Sequence, residues 1–409
     1  MKQNTTYKQT ELGLIPEDWE VKKFNKFSKF YSGGTPLTSK SEYYGGEIPF
    51  IKSGEIYYDR TEQFLTQEGL NNSSAKLVYR GDLLYALYGA NSGEVAISQL
   101  EGAINQAILC IQQNKDEAET IYLYNYLKLE KSNIINKFLQ GGQGNLSADI
   151  IKNLQIPLPP LPEQKKIADC LSTWDVAIEK QNALINALTQ RKKALMQQLL
   201  TGKKRLPGFS GEWKEVKLGD LFEKINRKNE EGNTNVVTIS AQRGFVKQTD
   251  FFNKSVASET LDNYSLIYHG EFCYNKSYSN GYPLGATKRL IAFEKAVVTT
   301  LYICFKIKDQ KKSNGSFFEQ FFEANSLDRS LIKIAQEGGR AHGLLNVSLS
   351  DFFNIKIKLP PIEEQTAIAE ILAAADRELQ LQKEKLAQLQ AQKKGLMQVL
   401  LTGKKRLLN

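Results

Sequence analysis

Apolar residues recur along two stretches of this chain in steps of four and three. The first runs through Ile167, Leu171, Trp174 and Ile178, then Ile185, Leu188, Leu195 and Leu199. The second runs through Ile368, Leu372, Ala375 and Leu379, then Leu386, Leu389, Leu396 and Leu400. Such spacing puts a narrow apolar stripe along a helix, the mark of a heptad seam rather than of a globular helix face. It predicts one helix from about Glu163 to Leu200 and another from about Glu364 to Leu401, each on the order of 57 Å long. Leu-Pro-Pro stands before both, stiffening the chain where a helix cannot continue. Gly202 and Gly403 stand after both and suit a left-handed cap.

The two stretches are copies of one module. LPPLPEQKKIA (158–168) returns as LPPIEEQTAIA (359–369), and both copies close on Leu-Leu-Thr-Gly-Lys-Lys-Arg-Leu. The offset is a constant 201 residues, as between Gln164 and Gln365 or Thr201 and Thr402. Gaps in the seam are copied too, since Gln181 matches Gln382 and Lys192 matches Lys393. A polar group at a seam position costs stability and fixes register, so matching gaps predict that the two arms pair with each other. Antiparallel pairing is expected, because it lets both flanking regions belong to one compact chain. The basic cluster at each arm end either touches phosphate or complements the helix C-terminus.

Outside the arms the heptad pattern gives way to short β-type runs. Before the first arm lie IPFIKSGEIYY (48–58), DLLYALYG (82–89) and AILCIQ (107–112); before the second lie VVTISAQRGFV (236–246), EFCYNKSYS (271–279) and VVTTLYICFKI (297–307). These short β-type runs with Gly-rich breaks predict two globular heads of mixed α+β class. The chain divides into a first head (1–157), a central helical arm (158–206), a second head (207–358) and a C-terminal arm (359–409). The heads share landmarks: one tryptophan near the start (Trp19, Trp213), Arg80-Gly81-Asp82 echoed by His269-Gly270-Glu271, and Gly-rich loops at 141–147 and 338–348. The offset between these landmarks drifts from 194 to 189, and the residues between them diverge. Similar scaffolds with different loops suit two readers of different targets.

Composition adds little but excludes much. The 409 residues are 41% hydrophobic and 24% charged, with a formal charge of +9. That surplus fits either a polyanionic partner or plain solubility. Four scattered cysteines with no Cys-x-x-Cys pair argue against a zinc ribbon or a disulfide framework and fit a reducing cytoplasm. No signal peptide or membrane-spanning run is legible. There is no Asn/Asp-Pro-Pro-Tyr tetrapeptide of an adenine methyltransferase and no phosphate-binding GxxxxGK[ST] loop. With only His269 and His342, a histidine-based metal site or catalytic triad cannot be assembled from obvious parts.

These features together resemble the specificity subunit of a type I restriction-modification system over nearly the whole chain. The resemblance rests on the paired LPPLPEQKKIA and LPPIEEQTAIA motifs and both LLTGKKRL closures. It extends to YSGGTP (31–36) with IPFIKSGEI (48–56), and to ISAQRGFVKQTDFFNKSVAS (239–258) with YNKSYSNGYPLGA (274–286). It implies two target-recognition domains, each reading half of a split double-stranded DNA sequence. The two long helices would pair as an antiparallel coiled coil, pseudo-two-fold symmetric, and set the unread spacing. It also implies two docked methyltransferase subunits that bind S-adenosylmethionine and methylate adenine at N6, with restriction-translocase subunits joining them. No cofactor, metal or catalytic residue is expected in this chain itself.

Base edges are read by Arg, Lys, Asn, Gln, Ser and Thr, so polar loop residues are the candidates. In the first head these are Thr35, Lys52, Ser53, Tyr88, Asn91, Ser92, Gln143 and Asn145. In the second they are Gln242, Arg243, Asn275, Lys276, Ser277, Tyr278 and Asn280, with Arg340 and His342 in the Gly-rich loop. The seam candidates for helix pairing are Ile167, Leu171, Trp174, Ile178, Leu188, Leu195, Ile368, Leu372, Leu379, Leu389 and Leu396. The competing readings are a coiled-coil clamp that binds DNA without sequence preference, and a nuclease or hydrolase with a non-obvious carboxylate site.

Overall fold

Both heptad stretches are single helices of 39 residues, Leu161–Leu199 and Ile362–Leu400. The computed structural model describes residues 6–138, 145–252, 260–337 and 345–407. The chain forms two compact units, Met1–Asn182 with Glu384–Asn409, and Ala183–Lys383. Each unit therefore holds one head together with part of each arm. Of the seam residues, Ile167, Leu171, Leu188, Ile368, Leu372 and Leu379 are buried, while Trp174, Ile178, Leu195, Leu389 and Leu396 are half-buried.

In the first unit, four antiparallel strands lie in the order Ser28–Ser32, Ile108–Gln113, Leu83–Ala86, Val95–Ile97. A second sheet orders Phe64–Leu65, Tyr44–Ile51, Gly102–Ile104 and Lys76–Val78, with Gly102–Ile104 parallel to Tyr44–Ile51. Strand Glu20–Lys23 pairs with Gln155–Leu158, the strand that feeds the first arm. The core joins Trp19, Tyr85 and Tyr122 of the head to Ile167 and Leu171 of the first arm and to Met397, Leu400 and Leu401 of the second. The run 48–58 is strand only as far as Ile51. Beyond it the Glu55 carboxylate accepts from the backbone N–H groups of Lys52 and Glu62, folding the segment into turns instead.

The second unit repeats the first sheet. Phe222–Lys224, Ile303–Ile307, Phe272–Asn275 and Ala286–Arg289 stand in the same order and sense as their counterparts. Lys214–Lys217 pairs with Lys356–Leu359, again the strand that feeds an arm. Asn314 caps helix Gly315–Glu323 by accepting from the N–H groups of Ser316 and Phe317. That helix buries Phe317, Phe318, Phe321 and Phe322 against Phe222, Phe272 and Phe305, several of them edge to face. In both heads the Gly of the echoed tripeptide turns the chain at positive φ, +95° at Gly81 and +87° at Gly270. Asp82 and Glu271 cap those turns through the N–H groups of Tyr79 and Tyr268.

The arm motif earns its residues through one fastener used twice. In the first unit Arg406 donates to Glu163 and also to Asp18, and Trp19 Nε1 donates to Glu163 at 3.2 Å. In the second unit Arg205 grips Glu364 through Nε and Nη2 at 2.7 and 2.6 Å, with Trp213 Nε1 at 3.0 Å. The neighbouring glutamines hold the heads. Gln164 donates to the carbonyls of Glu117 and Pro159 and accepts from Glu119 N–H; Gln365 does the same with Lys312, Pro360 and Asn314. Thus the end of each arm closes on the start of the other, which makes the pairing antiparallel within each unit. Of the basic clusters, the arginines serve these ion pairs, while Lys203, Lys204, Lys404 and Lys405 are exposed.

Gly202 and Gly403 take the left-handed cap at φ +69° and +71°. At Gly403 a Cβ would also stand 2.3 Å from Pro16 Cδ, so only glycine fits.

The copied lysine gaps are ion pairs: Lys393 with Asp175 in the first unit, Lys192 with Asp376 in the second. Lys393 is only 6% exposed, and burial pushes its ammonium below the ordinary lysine value against the pull of Asp175. The folded state then binds fewer protons than the unfolded one between the two values. Stability rises with pH through that window and carries the full burial penalty below it. Lys393→Met is expected to leave stability at neutral pH equal or higher, by up to about 1 kcal/mol, and to flatten that alkaline rise. Urea titrations at neutral and alkaline pH measure both; a clear loss at neutral pH means the ion pair outweighs the burial.

Candidate nucleic-acid interface

In the first head, five loops are drawn together by backbone bonds. Gly34 N–H bonds Ile104 O, and a Cβ at Gly33 would lie 1.7 Å from that same oxygen, so Ser-Gly-Gly-Thr-Pro can reach the sheet only with glycine there. This brings exposed Thr35 to Gln106, whose Oε1 accepts from the threonine hydroxyl at 2.6 Å. Lys52 follows Ile51, and Asn105 follows Ile104, at the same end of the parallel strand pair. Leu87 N–H bonds Ala107 O, and Leu146 N–H bonds Leu87 O, which sets Tyr88 beside exposed Asn145 as an antiparallel bridge. The amide of Asn91 adjoins Gly54, next to Ser53. Thr35, Lys52, Ser53, Tyr88, Asn91 and Asn145 therefore share one loop cluster. Ser92 donates its hydroxyl to Leu87 O inside the loop, so it shapes the loop rather than offering that proton to a base. Gln143 lies outside the described residues.

In the second head, Val237–Ser240 and Gly244–Lys247 form a hairpin whose turn presents exposed Gln242 and Arg243. Gln242 Nε2 donates to Asn280 O at 2.9 Å, joining that turn to the loop after Phe272–Asn275. Asn275 accepts from Ser277 N–H and starts the loop, Lys276 and Ser277 are half-buried, and Tyr278 is 65% exposed. Leu345 N–H bonds Lys276 O, the counterpart of Leu146 on Leu87. A cleft of about 280 Å³ beside Gln242 and Arg243 is lined by Lys288, Arg289, Glu319 and Glu323. Burial raises the Glu319 carboxyl against the pull of Arg289. Arg340 and His342 lie outside the described residues.

Sequence reasoning missed Asn105 and Gln106 in the first head, together with Tyr57, whose hydroxyl donates to Glu94, and Lys288, which donates to Tyr282 in the second. The polar pair inside the apolar run AINQAIL was a readable signal for Asn105 and Gln106. The other four carried none, because the carboxylate contacts that engage them span 35 to 41 residues. Among the described residues, no group of three or more His, Cys, Asp or Glu could hold a metal, and no helix is long and apolar enough to cross a membrane.

Two heads on one scaffold, each offering a polar loop cluster and joined to duplicated arms, define a recognisable plan. The sequence profile of the type I restriction modification DNA specificity domain matches residues 16–190 and again 210–391. The chain belongs to this family. The MjaVIII specificity subunit of Methanocaldococcus jannaschii is 27% identical over 432 aligned residues, covering 97% of this chain and 95% of that one. A putative MjaX specificity subunit from the same organism is 28% identical over 429, covering 97% and 96%. In fold, the chain is similar to the crystal structure of a type I S subunit from M. genitalium, with TM-score 0.55 at 14% identity over 98% of this chain and 97% of that one. A chain from structural work on assembly of the type I system gives TM-score 0.59 at 16% identity over 96% and 99%. The protein is a specificity subunit with two target-recognition domains, the non-catalytic member of its system.

Proposed function

We propose that each head of this specificity subunit reads one half of a bipartite DNA sequence through its loop cluster, and that the paired arms fix the unread spacer. Two methyltransferase subunits dock on the matching arm ends, because a duplicated chain offers an equivalent surface twice. Restriction-translocase subunits join that core. S-adenosylmethionine belongs to the methyltransferase subunits, which methylate adenine at N6, while this chain supplies the address. The complex works in the cytoplasm.

One observation carries this reading: the fastener and the order of one four-stranded sheet are used twice, whereas the loops they present differ in most of their residues, as between GANSGE (89–94) and YSNGYP (278–283). Identical partners call for identical docking parts, and different half-sites call for different loops. A clamp without sequence preference would have no use for that difference. The test is to insert one heptad at matched sites in both arms and map the methylated adenines. Seven residues add about 10 Å of helix, the rise of about three base pairs, so the spacer should lengthen by about that much with both half-sequences unchanged. A retained spacer with retained methylation excludes the ruler, and the absence of any split motif excludes the reading as a whole.

A further inference from the structure

Each head contains a tyrosine, a carboxylate and a lysine in one cluster that ties a loop of candidate readers to the helix after the central strand. In the first head Glu94 closes the loop of Tyr88, Asn91 and Ser92. Its carboxylate accepts from Tyr57, on the turn that begins at Lys52, and from Lys131 on helix Thr120–Phe138. In the second head the carboxylate is Glu323, the last residue of helix Gly315–Glu323. It accepts from Tyr282 OH at 2.5 Å and from Lys288, which also donates to Tyr282 OH at 3.0 Å. Tyr282 closes the loop of Lys276–Asn280, and Asn325, just past the helix, donates to Gly281 O at 2.9 Å.

The acid is on the loop side in one head and on the helix side in the other. Group types are nonetheless the same, and both clusters join the reader loop to that helix, with Tyr57 coming from a second loop in the first head and Lys288 from strand Ala286–Arg289 in the second. Burial alone would raise the Glu94 carboxyl, and the bonds from Lys131 and Tyr57 outweigh it, leaving it below the usual carboxylate value. A half-exposed ion pair contributes little to global stability. What such a cluster does supply is a fixed loop, and base readout depends on hydrogen-bond geometry held to a fraction of an ångström. A loop left to order itself on binding gives up part of that discrimination as entropy.

We infer that Glu94 with Tyr57 and Lys131, and Glu323 with Tyr282 and Lys288, are positioning residues that set the loops for base readout. The inference rests on the proposed half-site reading. Its test uses the assembled complex and three duplexes: the split sequence mapped for the wild type, and two versions with one half scrambled. Glu94→Gln should lower discrimination at one half-site by about tenfold, the weight of about one base contact, with the other half and random-duplex affinity unchanged. Glu323→Gln should do the same at the opposite half. The charge exchange Glu94→Lys with Lys131→Glu should recover part of the loss, which general damage to the head would not allow. Unchanged discrimination in both single variants, equal loss at both halves, or no recovery on exchange overturns the inference while the reading stands. A wild-type complex that recognises no split sequence overturns the reading itself.

Discussion

Exchanging residues 1–157 for the head of another specificity subunit changes one half of the recognised sequence and leaves the other half as it was. The second head's candidate readers are held from within their own unit. Gln242 is tied to Asn280, Lys276 to Leu345, and the sheet beneath rests on the phenylalanine core of helix Gly315–Glu323. Nothing in that set is removed by the exchange. The incoming head needs to supply the parts that meet the arms: a tryptophan to donate to Glu163, backbone partners for Gln164 like those at Glu117 and Glu119, and an acid for Arg406 like Asp18. The effect is large because each mismatched base pair costs about 1–3 kcal/mol, so two wrong pairs cost on the order of 2–6 kcal/mol and silence the old sites. Sequencing of methylated adenines reads the result. If both halves changed, or neither did, the two heads would not be independent readers.

Glu364→Ala destabilises the second unit by about 3 kcal/mol, and Glu163→Ala destabilises the first by less. Glu364 has no exposed surface and holds both Arg205 and the Trp213 indole, so truncation leaves a partly buried cation and a half-buried N–H without their acceptor. Arg205 is 26% exposed, which lets water recover some of the loss. Arg406 is more buried, at 9%, yet it keeps a second acceptor in Asp18, bonded at 2.8 and 2.7 Å. That arginine also holds the Asp18 carboxyl below its ordinary value, so the spare contact persists under mild acid and is lost as pH falls through the lowered value. Hydrogen exchange resolves the two units separately. Equal losses in both would mean that Asp18 does not compensate.

Much of the architecture was legible in residue order alone. The heptad steps and the constant offset located two equal helices to within two residues at each end, because a seam repeats locally and Leu-Pro-Pro and Gly mark its limits. The shared lysine gaps forecast pairing, and each gap proved to face an aspartate of the other arm. The β-type runs located strands but not their extent, as at 48–58, where the Glu55 carboxylate turns the chain. Individual readers were legible only as polar loop residues, and Ser92 shows the limit: its hydroxyl is engaged by a carbonyl five residues away that composition does not reveal.

The sequence by itself determined that there are two arms of one kind, two heads of another, and a family to which they belong. Those properties are written in short-range periodicity and in a repeat, which need no folding to be read. Only the tertiary structure decided what the repeated residues do. Glu163 meets Arg406, and Glu364 meets Arg205, across 243 and 159 positions, so the arms close end to start within each unit. The same holds for the loops, whose common cluster depends on partners such as Thr35 and Gln106, 71 residues apart. Contacts at such separations are set by how strands and helices stack, and a linear pattern carries no record of that.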